Sequence, residues 1–276
     1  MSLVRLKVVR ADPAGNVTLF VLTPVDRALR ADAAGKLIAA LPEMKVEQVG
    51  FASVPLMGTA ARLEMAGGEF CGNAARAWGM WTAREAGRVP RPERVRIEVS
   101  GCNHPIAVDV DWAEGTARTE MPLPLAVRPV PEFGGTLVHL GSIAHLVVWD
   151  EAPSREFFHR AEPAFKGMAG LEAYGVIFLN RLDAAAGEER LTPFVKVPSV
   201  GTLFQEGSCG SGSLAAAVAE SVEVRDGEFC RRYVQPAGAL TASVVRRGGE
   251  VRGAFIEGPV SVDEPVEVEL DLYAVR

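Results

Sequence analysis

Four cysteines occur in the chain, and two of them, Cys71 and Cys209, stand in matching surroundings. The segments Gly68-Glu-Phe-Cys-Gly-Asn-Ala-Ala-Arg76 and Glu206-Gly-Ser-Cys-Gly-Ser-Gly-Ser213 each place Cys-Gly-polar-small directly before a stretch that reads as a helix. A thiol at a helix N-terminus sits beside unpaired backbone N–H groups and the positive end of the helix dipole, which favours the thiolate. The N–H groups of Gly72-Asn73 and Gly210-Ser211 would form a carboxylate site there, and glycine permits close backbone approach. A substrate α-carboxylate gripped by both helix ends would hold its Cα between two sulfurs, one acting as base and the other as acid. Such two-sided proton exchange is what racemisation requires. The hard step is the acidity of the α-proton. No cofactor is expected to spread the carbanion charge, so helix-end N–H groups and exclusion of water must carry it.

The other reactive side chains read more plainly. Cys102 beside Asn103 and His104, and Cys230 beside Arg231, have no second ligand pair at metal spacing, so no metal site is expected. His104, His139, His145 and His159 show no His-x-x-x-His spacing, and His145 reads first as structural. Arg76 reads as half of a structural ion pair, and Glu206 as a carboxylate complementing the second helix dipole. Asn16, after Gly15, reads as a turn residue with the capacity to bind a substrate head group.

These residues need elements to position them. Arg27 to Leu41, Asn73 to Ala86 and Ser213 to Val222 are rich in helix formers. Short β-branched runs at Val4 to Val9, Val17 to Leu22, Arg94 to Val99, Ile106 to Val110, Leu137 to Leu140, Leu146 to Trp149 and Val176 to Leu179 read as strands. Few long helices favour an α+β class with mostly antiparallel sheets. The two cysteine motifs lie half a chain length apart, which suggests two similar halves about a pseudo-twofold axis, divided near the Pro-rich Met121 to Pro131. The expected domains are 1–125, rejoined by a returning strand over about 264–276, and 126–263.

Composition agrees with a soluble globular protein and excludes several other classes. The chain is 48% hydrophobic and 23% charged, a balance too apolar for disorder. A net charge of -6 without any basic run gives no footprint for nucleic acid. The first residues mix charges with apolar residues, unlike a signal peptide, and no stretch approaches the roughly 20 apolar residues of a membrane span. A cytoplasmic location with reduced cysteines is expected. The expected partner is a small-molecule amino acid, with a second copy of the chain, in a homodimer, as the one macromolecular candidate.

The motifs resemble those of the diaminopimelate epimerase superfamily, whose members pair two similar domains and take one catalytic cysteine from each. Ala66-Gly-Gly-Glu-Phe-Cys-Gly-Asn-Ala-Ala-Arg76 and Ser208-Cys-Gly-Ser-Gly-Ser-Leu-Ala-Ala216 are similar to its two cysteine motifs. Gly15-Asn16, Gly141 to His145, Pro236 to Leu240 and Glu257 to Val260 echo shorter ones. The resemblance implies a curved, mostly antiparallel sheet around a central helix in each domain, an active site in the interdomain cleft, and no cofactor. Diaminopimelate itself is disfavoured. Val200 and Gly201 stand where that family has Glu-Arg, and Gly141-Ser-Ile-Ala-His145 and Tyr174-Gly-Val-Ile-Phe178 lack its Asn residues. A second zwitterionic head would therefore be left unpaired.

Val46-Glu-Gln-Val-Gly-Phe51 resembles instead the histidine racemases of opine-metallophore pathways, which implies Glu47 as an acceptor for an imidazole N–H, against its plain reading as an exposed carboxylate. The resemblance implies conversion of L-histidine to D-histidine by Cys71 and Cys209, with Asn16, Glu47, Gly72, Asn73, Gly210 and Ser211 binding substrate. Two readings compete with it: epimerisation of diaminopimelate or a proline derivative, and a dithiol redox protein, for which no Cys-x-x-Cys motif speaks.

Overall fold

A computed structural model describes residues 3–87, 92–168, 170–183, 188–198 and 201–272. Val200 lies outside them. The chain is mixed α/β, with many strands and few helices, and it divides into two compact units: Met1–Thr119 with Gly258–Arg276, and Glu120–Glu257. The described residues form four α-helices, α1 (Arg30–Ala40), α2 (Gly72–Glu85), α3 (Arg155–Ala161) and α4 (Gly210–Glu220).

In the first unit, strand Leu3–Asp12 pairs antiparallel with Thr18–Val21 on one side, and with Ser261–Val262 and Val266–Asp271 on the other. Leu3 stands opposite Asp271, so the end of the described chain returns to its beginning. Thr18–Val21 then runs parallel to Gln48–Ser53, whose antiparallel neighbour Ala61–Met65 runs parallel to Glu93–Val99. Ile106–Asp111 alternates buried and partly exposed residues, the period-2 signature of a strand with one face on the core. Helix α2 is buried on all sides from Gly72 to Ala83, which its Ala, Gly, Trp and Met content permits. It lies so close to Ile106–Asp111 that a Cβ on Gly79 would come within 2.6 Å of Val108 Cγ1. Helix α1 covers a second core, setting Ala33 and Leu37 against Leu6, Val8, Leu19 and Phe51.

In the second unit, Gly135–His139 pairs antiparallel with Ala126–Val130 and Ile143–Trp149, and the latter runs parallel to Ala173–Asp183. Glu188–Val197 follows antiparallel and has two further neighbours, Thr202–Gln205 antiparallel and Gly227–Val234 parallel. Gly227–Val234, Ala239–Arg247 and Glu250–Pro259 form an antiparallel meander. Helix α4, again nearly all buried, packs on Ala239–Arg247 and Ile143–Trp149. Helix α3, which residue composition alone did not reveal, is started by Ser154, whose hydroxyl accepts from Phe157 N–H at 3.1 Å. It places Phe157 and Phe158 against Phe178 and Tyr174.

Two boundaries differ from expectation for local reasons. Helix α4 begins at Gly210 rather than Ser213, because the cysteine side chain caps it. Arg27–Leu29 form a 3₁₀ turn before α1 instead of its first helical residues. The Pro-rich stretch expected as a divider contains the strand Ala126–Val130, exposed at four of five positions, with Pro129 on it.

Candidate active site

Cys71 is the N-cap residue of α2, with extended backbone angles (φ −126°, ψ 113°), and its sulfur accepts the Ala74 N–H at 3.5 Å. Three further side chains converge on it. Thr18 and Gln48 face each other across parallel strands, and from that register Gln48 Nε2 donates to Thr18 Oγ1 at 3.0 Å, Asn16 Oδ1 at 2.5 Å and Cys71 Sγ at 3.3 Å. Asn16 Nδ2 in turn donates to Glu47 Oε2 at 2.8 Å. Asn16 is presented by a turn with Ala14 (φ 63°) and Gly15 (φ 89°) in the left-handed region, closed by Gly15 N–H on Asp12 Oδ1 at 2.7 Å. Thus Asn16, Glu47 and Cys71 come together through Gln48, a residue that sequence reasoning passed over inside a segment it had singled out.

Gly72 and Asn73 supply the first N–H groups of α2. Asn73 is buried, and its Oδ1 receives Arg76 Nη2 at 2.9 Å. Arg76, fully buried, also donates to Gly258 O at 2.8 Å, which ties the helix start to the returning chain.

Cys209 repeats the arrangement at α4 (φ −114°, ψ 107°), its sulfur accepting the Gly212 N–H at 3.3 Å. A Cβ on Gly212 would fall 2.7 Å from Ile177 Cδ1 and 3.1 Å from the sulfur, so the space there is tight. Ser211 Oγ lies 3.5 Å from Cys209 Sγ and 2.9 Å from His145 Nε2. His145 is fully buried, and burial holds its pKa down to about 3, so the ring is neutral. Its Nδ1 has no hydrogen-bond partner, and Gly175 packs against that edge, where a Cβ would stand 2.8 Å away. The histidine read as structural therefore reaches a predicted site residue, Ser211.

The thiols do not follow the expectation that helix ends leave them ionised. Burial pushes Cys71 up, against the pull of the Ala74 N–H and the Gln48 amide, with the Glu69 charge adding to the rise. Cys209, 4% exposed, is pushed well above the ordinary thiol value by burial first and then by Glu206, through both charge and a hydrogen bond; Ser211 and the Gly212 N–H pull the other way. Desolvation outweighs the cap at both cysteines, more so at Cys209. Glu206, expected to complement the helix dipole, thus bears on the thiol itself. Glu47 is exposed as a whole residue; partial desolvation of its carboxyl, with Asp12 adding to it, raises that group against the Asn16 hydrogen bond.

Cys102 and Cys230 stand apart from these groups, Cys102 contacting His104 Nδ1 at 3.3 Å and Cys230 being exposed. Among the described residues, no cluster of three or more His, Cys, Asp or Glu is arranged to hold a metal ion, and no helix is long and apolar enough to cross a membrane.

The family model described as the histidine racemase CntK N-terminal domain matches residues 5–264. A histidine racemase of Staphylococcus aureus is 26% identical over 253 residues, spanning 85% of this chain and 87% of the relative. One from Fusobacterium nucleatum subsp. nucleatum is 28% identical over 273 residues, 93% and 94% of the two chains. In fold, the chain is similar to a hydroxyproline epimerase from Agrobacterium vitis, solved with bound trans-4-hydroxy-L-proline, at a TM-score of 0.64 and 13% identity over 99% of this chain and 94% of that one.

Proposed function

Because the chain belongs to the histidine racemase CntK N-terminal domain family, we propose that it is an amino-acid racemase that interconverts L- and D-histidine through Cys71 and Cys209. The observation that carries this reading is the repeated N-cap thiol: two cysteines, each capping the start of a buried helix. In the proposed step the Cys71 thiolate takes the α-proton, forming S–H and leaving the electron pair on Cα and its carboxylate. The Cys209 thiol then protonates the opposite face and becomes the thiolate; the reverse direction exchanges the roles. Cys71, with donors from Gln48 and Ala74, is the readier to ionise, whereas burial and Glu206 keep the proton on Cys209.

The N–H groups of Gly72, Asn73, Gly210 and Ser211 are assigned to the substrate carboxylate, where the charge of the deprotonated intermediate develops. Glu47, held by Asn16, is assigned to the imidazole N–H, which makes it the determinant of histidine over other amino acids. We further propose that the two units form a diaminopimelate epimerase-type pair, that the enzyme is cytoplasmic, and that the D-histidine it makes supplies opine-metallophore synthesis.

The test is incubation of the reduced protein with single L-amino acids in D2O, following loss of the α-proton signal together with chiral analysis. Exchange and D-enantiomer formation with histidine, both abolished in Cys71→Ala and Cys209→Ala, are expected. Racemisation that survives in Cys71→Ala would overturn the two-thiol mechanism, and turnover of another amino acid in preference to histidine would overturn the substrate.

A further inference from the structure

One amide side chain outside the thiols is tied to Cys209 at both ends of its backbone. Gln235, 6% exposed, opens the turn between Gly227–Val234 and Ala239–Arg247, a turn closed by Gln235 N–H on Gly238 O at 2.7 Å. Its Oε1 accepts the Cys209 N–H at 2.7 Å. Its Nε2 donates to Ser213 Oγ at 2.9 Å, and the Ser213 hydroxyl donates to Cys209 O at 2.8 Å. The same turn holds the approach to the helix through Ala237 N–H on Gly207 O at 2.9 Å.

This arrangement replaces a common local device. In a capping box, the side chain three residues into the helix reaches back to the N-cap N–H. Here that position is Gly212, which has no side chain to offer and which the packing of Ile177 keeps small. The N–H of Cys209 is bound instead from a turn 26 residues further along the chain. Both backbone groups of Cys209 are thereby fixed, one directly and one through Ser213, and the direction of its Cα–Cβ bond is fixed with them.

We infer that Gln235 is the positioning residue for Cys209, aiming its sulfur without itself touching substrate. The inference rests on the reading of Cys209 as an acid–base thiol. An uncharged amide suits the task, because it supplies an acceptor to the backbone and a donor to Ser213 without placing a further charge beside the thiol.

Two variants test it. Gln235→Leu removes both arms. Gln235→Glu keeps the acceptor for Cys209 N–H but, when ionised, turns the other arm from donor to acceptor, so that the Ser213 hydroxyl swings away from Cys209 O; protonation of the new carboxyl restores the donor. On the reduced full-length protein, iodoacetamide labelling of the Cys71 and Cys209 peptides is followed separately by mass spectrometry, alongside kcat and KM for histidine. The expected result is a severalfold change in Cys209 labelling with Cys71 labelling unchanged. In Gln235→Leu, kcat should fall roughly ten- to a hundredfold with KM within about twofold. Gln235→Glu should lie between wild type and Gln235→Leu and recover as pH falls. Wild-type labelling at Cys209 in either folded variant, or equal changes at both cysteines, would overturn the assignment. The labelling arm needs no turnover, so it decides this inference even if histidine is not the substrate.

Discussion

Helix α4 is capped by Cys209 and ends at Glu220, and its far end carries a titration that should control the stability of the second unit. Glu220 Oε2 accepts the Tyr233 hydroxyl at 2.5 Å and Oε1 lies 3.4 Å from Arg231 Nη2, in a side chain only 10% exposed. Burial, opposed by the Tyr233 hydrogen bond and reinforced by the neighbouring Glu189 charge, raises Glu220 from 4.5 to about 7. A carboxylate at a helix C-terminus is also unfavourable to the dipole. The folded value lies above the unfolded one. The contribution to stability is therefore complete below about pH 4.5 and is lost as pH rises through 7. Between about pH 5 and pH 8 the loss amounts to about 2–3 kcal/mol, from roughly 1.4 kcal/mol for each pH unit over which only the unfolded chain is ionised. Glu220→Gln keeps the shape and removes the titration, so the gap between variant and wild type should shift in the variant's favour by that amount across the interval. With a urea slope of roughly 2 kcal/mol per molar, the midpoint difference moves by about 1 M, which circular dichroism titrations at the two pH values would resolve. Parallel pH dependence in the two proteins would refute the reasoning.

Two other substitutions test the packing and charges of the first unit. Gly79→Ala forces a Cβ into Val108 and should lower stability by about 1–3 kcal/mol, read as a fall in melting temperature without change in secondary structure. Burial alone would raise Glu64, yet hydrogen bonds from Arg30, Ser53 and Arg62 hold it at about 2. This folded value is below the unfolded 4.5, so its contribution is present above pH 4.5 and lost as pH falls through 2; Glu64→Gln should flatten acid unfolding over that window in a pH titration of ellipticity.

The features legible in the sequence are those set within a few residues. Cys-Gly-polar-small is a helix-start pattern, and the sulfurs do cap α2 and α4 through N–H groups three residues on. Several strands were not legible in the sequence, and two of them show one reason. Thr116–Glu120 and Gly227–Val234 carry arginine and glutamate on partly exposed faces, and pairing with neighbours rather than propensity makes them strands. Gln48, His145 and Gln235 were illegible for a related reason. Their partners Cys71, Ser211 and Cys209 lie 23, 66 and 26 residues away, so no local pattern joins them.

The sign of the thiol shifts has the same origin. A helix end is visible in sequence and predicts a lowered pKa, whereas desolvation depends on what tertiary packing places over the sulfur, and here it prevails. A buried, protonated thiol has a proton to give but cannot accept one, so two such thiols cannot both act until one is ionised. In the proposed mechanism the difference between the two thiols matters. Cys71 faces an amide donor and keeps some exposure, while Cys209 faces a carboxylate and keeps almost none. The two sequence motifs look alike, and their surroundings make them chemically unequal, as the proposed exchange between one base and one acid would require.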